Sequence, residues 1–284
     1  MATCLHCGQP HPDEARFCPT TGQPFQRAAA TERVRPLAQE KGVYDLLAEA
    51  VRIYRASLHD LLMTAAVVVV PGSLFSSLTA PLSALAFLPL WLAGEALHAF
   101  VMCGFVLPLV QAALTIATAD RLLAGRAGWR QHWSLLWPRL GLLFSAALPA
   151  AVILAFGFFL AVLPGLLLAF AFLFAAPVVL FERLGGAAAL KRSFHLVRLD
   201  WLRSALMFLA FGTSGSLSHW VAGLLSPSGA LLFDNFLGDL LFLLVMPIPI
   251  IGTVLLYLDI RRKAEGLDDD HLKADLETLR PPAV

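Results

Sequence analysis

Between Leu140 and Phe181 the chain runs without a single Asp, Glu, Lys, Arg or His. Crossing about 30 Å of hydrocarbon takes ~20 apolar residues as a helix, so this run is long enough to cross twice. Pro164-Gly165 near its middle predicts a tight turn between two antiparallel helices. Composition extends the same reading to the whole chain. It is 58% hydrophobic and 14% charged, with a mean hydropathy of +0.73, whereas soluble domains carry about 25% charged residues. An all-α membrane protein is expected, and a formal charge of +1 gives no reason to expect a nucleic-acid partner.

Apolar runs of membrane length fall at 61–80, 96–119, 140–161, 163–182, 202–224 and 238–259, predicting about six transmembrane helices. The stretch 81–94 is apolar but interrupted by Pro81 and Pro89, and reads as a short outer-face helix, a re-entrant piece or part of a longer second span. Gly212 to His219 is small and polar, a composition that lets helices approach closely. The resulting organisation is a head at 1–25, a polar linker at 26–41, a multi-pass domain at 42–263 and a tail at 264–284.

The 21 Lys and Arg fall into four groups: before residue 61, between 119 and 140, between 183 and 203, and after 259. With six spans, every one lies on the same face, which the positive-inside tendency assigns to the cytoplasm together with both termini. Trp129, Trp133, Trp137 and Trp201 sit beside the inner span ends, and Trp91 and Trp220 toward the outer ones, where amphipathic rings prefer to lie. The N-terminus lacks the basic patch and hydrophobic run of a signal peptide, so the head is expected in the reducing cytosol.

Three segments predict amphipathic helices along the inner surface. Val43 to Leu58 repeats Leu47, Val51, Tyr54 and Leu58, and either lies on the membrane or packs on the protein's own cytosolic side. Gly128 to Trp137 carries Trp129 and Trp133 on one face. After Gly185-Gly186, residues Leu190, Phe194, Val197 and Trp201 share a face, while Lys191, His195 and Arg198 share another. Lys191, Arg192, Arg198 and Trp201 are the expected lipid-interface residues, each cation contributing about 1 kcal/mol beside anionic lipid.

The head places Cys4 and Cys7 in a Cys-x-x-Cys turn, with Cys18 opening a second one. It resembles the small zinc ribbons that bacteria place at the head of membrane proteins, matching at Cys4, Cys7, Gly8, Pro12, Ala15, Phe17, Cys18 and Gly22. Thr21 stands where that pattern has its last cysteine. Either His6 or His11 completes a zinc site with Cys4, Cys7 and Cys18, or the ribbon has lost its metal. Cys103, in an apolar run, reads as a small core hydrophobe.

A second resemblance lies in Pro177 to Arg203 and at the end of the last span. Pro177, Glu182, Gly185, Ala189, Leu190, Arg192, Ser193, Leu196, Val197, Trp201 and Arg203 are similar to a pattern of the bacterial glycerophosphoryl diester phosphodiesterase membrane-domain family. Leu256, Tyr257, Asp259, Arg261, Glu265 and Gly266 resemble its closing motif. The likeness covers roughly 43–270 and implies a bacterial multi-pass membrane fold. It does not bring the named activity, because the family's phosphodiesterase domain is a TIM barrel for which this chain has neither length nor βα pattern.

Ionisable residues in spans are the natural place to look for chemistry. Asp60, Asp120, Glu182 and Asp259 sit at inner span ends, and Glu95, His98, His219, Asp234 and Asp239 near outer ones. With none at the midplane, an ion-coupled carrier is disfavoured. The leading expectation is a non-catalytic protein of the bacterial cytoplasmic membrane that engages anionic lipid or a membrane partner protein. A transporter or permease is one alternative, and an enzyme acting on lipid through the outer acidic and His residues is another. Glu182 is expected to pair with a nearby Arg or Lys, and Asp268 to Asp270 to cap a short helix carrying Leu272, Leu276 and Leu279.

Overall fold

The computed structural model describes residues 2–3, 10–11, 42–83, 97, 100–123, 125, 127–225, 231–266, 269–277 and 279. The chain divides into two units, Met1–Gln39 and Glu40–Val284. In the first, Ala2–Thr3 pairs antiparallel with Pro10–His11, Ala2 opposite His11. Cys4, His6, Cys7, Cys18 and Thr21 lie outside the described residues, as do the linker and Trp91, Glu95 and His98.

Every element described in the second unit is a helix or a helical turn. Its helices are α1 (Val43–Ala56), α2 (Leu58–Ser83), α3 (Leu107–Leu122), α4 (Trp129–Leu136), α5 (Leu140–Leu160) and α6 (Val162–Ala171). They continue with α7 (Ala175–Phe181), α8 (Gly186–Leu199), α9 (Trp201–Leu225), α10 (Leu231–Val245), α11 (Pro247–Glu265) and α12 (Asp269–Glu277). A π-helical turn, Met102–Val106, leads into α3, and a 3-10 turn, Trp137–Arg139, joins α4 to α5.

Among the described residues four segments are long and apolar enough to cross a membrane: Leu58–Ser77, Met102–Leu122, Trp129–Phe158 and Leu163–Phe181. Phe233–Val245 and Pro247–Glu265 make a fifth if the pair, bent by 41°, is one span. The expected sixth run, 238–259, is therefore not one straight helix. Pro247 and Pro249 lack the N–H groups that would bond Leu243 and Val245, so the ladder breaks at Met246. Tyr54 Oη donates to the Leu244 carbonyl beside the break at 2.6 Å.

The turn between α5 and α6 falls at Ala161, which is extended at φ −172° and ψ 160°, instead of at Pro164-Gly165. Pro164 is accommodated in the first turn of α6, where backbone N–H groups have no helical partner to lose. Gly165 lets the Phe158 ring lie against the backbone, since a Cβ there would sit 2.4 Å from Phe158 Cγ.

The core forms around α11, whose residues Ile250 to Leu258 are almost all buried. α1 packs along it with Leu46, Ala50 and Tyr54 buried, one position round from the predicted face. Of the two readings of this segment, the observed one is packing on the protein itself. α10 lies between α9 and α2, and α12 returns against α3 with Leu276 and Leu279 buried.

Candidate functional site

Pro177 explains why the fourth apolar run is two helices. Its ring and missing N–H exclude a helical bond to the Leu173 carbonyl, so the chain turns through Phe172 to Phe174 and restarts with Pro177 in the first turn of α7. Backbone freed inside a span must find partners within the protein. Ser193, fully buried on α8, partners two of the groups at this break: its Oγ accepts from Phe174 N at 3.1 Å and donates to Ala171 O at 2.9 Å. The α7 to α8 corner is made by Gly185 and Gly186, the latter at φ +54° with its N–H on Ser145 Oγ at 3.0 Å. A Cβ on Gly185 would lie 2.6 Å from that same Oγ.

Beyond the corner the charged residues interlock. Glu182 accepts from Arg192 Nε at 2.7 Å and from Tyr257 Oη at 2.9 Å. Arg192 also holds Glu265, which accepts from Arg261 Nη2 at 2.9 Å, and Arg261 reaches Asp275 at 2.7 Å. The Phe181 and Tyr257 rings stack beneath this network with centroids 5.6 Å apart. Arg203 joins Asp200 on the α8 to α9 turn to Asp259 on α11, its Nη1 2.6 Å from Asp259 Oδ2. The two motif segments, far apart in sequence, thus meet in two sets of ion pairs, one fastening α7, α8, α11 and α12 and the other fastening α9 to α11.

A second polar cluster joins α2, α3 and α4. Arg121 bonds Asp60 Oδ2 at 2.9 Å and the carbonyls of Gly125 and Ala127. Asp120, 1% exposed, accepts from Ala127 N at 3.0 Å. Thr64 Oγ1 donates to the Asp60 carbonyl at 2.6 Å and lies 3.1 Å from His132 Nδ1, while His132 Nε2 is 3.9 Å from Asp120 Oδ2. A hydroxyl, an imidazole and a carboxylate in line have the order of a nucleophile, a base and its orienting acid. Thr64 and His132 are fully buried, however, and the Thr64 proton is committed to Asp60. The cluster serves as a lock between helices.

One cavity of about 360 Å³ opens between α3, α5, α6, α7, α9 and α11. Small residues leave room among its larger Phe and Leu side chains: Ala146, Ala147 and Ala150 flank Pro149 on α5, and Gly212 lines it from α9. Among the described residues, none that lines it is charged. Thr115 and Thr253 turn their hydroxyls back onto the carbonyls of Gln111 and Pro249, at 2.7 and 2.8 Å. The cavity wall is therefore almost wholly hydrocarbon, with Gln111 its one amide.

The predicted interface residues divide. Lys191 and Arg198 are exposed, as is Trp201, and the Arg198 guanidinium lies 5.7 Å from the Phe194 ring centroid. Arg192 instead turns inward to Glu182 and Glu265. Of the residues expected near the outer span ends, His219 and Asp239 approach to 3.6 Å. The Ser193 bridge, the α6 to α7 break and the cavity had no separate expectation; Pro177 was the available signal for the break. Among the described residues no group of three or more His, Cys, Asp or Glu is arranged to hold a metal ion. Comparison with family models, with curated proteins and with solved structures returned no match.

Proposed function

We propose that this chain is a non-catalytic, six-span protein of the bacterial cytoplasmic membrane, of the phosphodiesterase membrane-domain type, whose inner surface engages anionic lipid. The single observation that carries the lipid reading is the division of α8. Ser193 and Arg192 face inward into hydrogen bonds and ion pairs, while Lys191, Phe194, His195 and Arg198 are exposed beside exposed Leu199, Trp201 and Leu202. Cations adjoining large exposed apolar side chains suit a surface where acyl chains give way to anionic headgroups. Both termini face the cytoplasm in this reading, with α9 as the fifth span, α10 with α11 as the sixth, and a zinc-ribbon-like head before them.

The test is anionic-lipid dependence of the purified protein in nanodiscs. Phosphatidylglycerol should raise thermal stability over phosphatidylcholine in the unaltered chain, and K191Q/R198Q should lose most of that gain. Equal stability in the two lipids, or an unchanged gain in the double variant, contradicts the proposal.

A further inference from the structure

We propose that the cavity between α3, α5, α6, α7, α9 and α11 is a binding site for one acyl chain of a membrane phospholipid. This rests on the membrane reading above but not on the basic face of α8. The walls come mostly from the apolar segments of membrane length, Met102–Leu122, Trp129–Phe158 and Leu163–Phe181. Hydrocarbon chains are then the surrounding solvent, and the cavity's chemistry matches theirs. Among the described residues no lining residue is charged, and Thr115 and Thr253 spend their hydroxyls on their own helices. Water would find few partners there, and an apolar space of about 360 Å³ is of the size that takes a ligand.

The route in is also apolar. Phe158 and Leu166 belong both to the lining and to the exposed surface, at 44% and 45% exposure, so the cavity wall continues into apolar surface at the α5 to α6 turn. The α6 to α7 break brings irregular backbone next to the cavity, yet Ser193 has already satisfied Phe174 N and Ala171 O. A headgroup or a polar metabolite would therefore gain no hydrogen bonds from those two groups. An acyl chain requires none.

The experiment uses full-length protein reconstituted in phosphatidylglycerol and phosphatidylcholine containing a trace of phospholipid with a diazirine on one acyl chain, photolysed and mapped by peptide mass spectrometry. Labels on the buried residues Ala146, Ala147 or Ala150, and on Val179 of α7, are expected in addition to those on outward Phe156, Leu163 and Leu209. Labelling confined to the outward residues overturns the proposal. A147F, which fills the space, should lower labelling of Val179 at least fivefold with Leu209 unchanged; undiminished Val179 labelling in a folded variant also overturns it. Should A147F fail to fold, the labelling map of the unaltered protein still decides. Protein recovered without detergent in the soluble fraction would instead defeat the membrane reading itself. Capture of a quinone or other non-acyl lipid in place of phospholipid counts against the acyl-chain assignment.

Discussion

Ser193 Oγ accepts the Phe174 N–H at 3.1 Å across the interface between α8 and the break separating α6 from α7. The same oxygen donates to Ala171, so one buried hydroxyl closes both sides of an interrupted span. Leaving a buried amide unpaired costs about 1–3 kcal/mol. Ser193→Ala should therefore lower the thermal midpoint of the detergent-solubilised protein by several degrees, and Ser193→Thr should recover part of the loss. An Ala variant as stable as the parent would mean that the break does not need the bridge.

Arg203 holds Asp200 and Asp259 together with its side chain only 15% exposed and that of Asp259 11% exposed. Removing Arg203 takes the closer cation from Asp259, whose other partner, Lys263 Nζ, lies at 3.5 Å, at a cost of about 1–3 kcal/mol. Arg203→Ala should be strongly destabilising, and adding Asp259→Asn should restore part of that stability. A double-mutant cycle in denaturant checks the coupling, and additive single effects would count against it.

Two glycines that look equally crowded should respond differently to alanine. A Cβ on Gly125 would lie 1.8 Å from Asp120 Oδ1, and one on Gly238 1.9 Å from His219 Nδ1. Asp120 is buried and bonded to Ala127 N, whereas the His219 side chain is 51% exposed and can swing away. Gly125→Ala is expected to cost about 1–3 kcal/mol as overpacking, and Gly238→Ala a few tenths. Thermal melts of the two variants, compared directly, separate rigid from yielding neighbours.

Burial pushes the Tyr54 phenol above its ordinary pKa, and its hydroxyl is held by the Leu244 carbonyl. A raised folded-state pKa favours the neutral form, so the contribution is fully present below about 10, the unfolded value, and is lost as pH rises through the higher folded value. Tyr54→Phe should cost about 1 kcal/mol near neutral pH. It should also flatten the alkaline fall in stability, measured as melting midpoint against pH.

Much of this architecture was legible in the residues because hydrophobic run length and charge placement are local properties. Leu58–Ser77 and Leu163–Phe181 coincide closely with the runs 61–80 and 163–182, and the expected partner of Glu182 is Arg192. The run 202–224 forms α9 but is not among the described segments apolar enough to cross, its outer half being small and polar; the other failures occur where a run is apolar throughout but its backbone is not regular. Phe172 to Phe174 offers no turn residue; the cause lies downstream in Pro177 and the remedy in Ser193, on the next helix. Met246 lies inside an apolar run that reads as one span, yet Pro247 and Pro249 divide it. The face of α1 was displaced by one residue because Ala50, small enough for α11 to approach closely, weighs little in a hydrophobic pattern. The cavity was invisible for a related reason: it depends on which small residues from separate helices face one another.

Reporter fusions after Ala28, Leu90, Leu190 and Val284 decide whether the chain crosses the membrane six times with all of its basic residues on the cytoplasmic side. Cytoplasmic reporter activity is expected after Ala28, Leu190 and Val284, and periplasmic activity after Leu90. A periplasmic signal from the Leu190 fusion, within the α8 segment that carries Lys191 and Arg198, would contradict this topology.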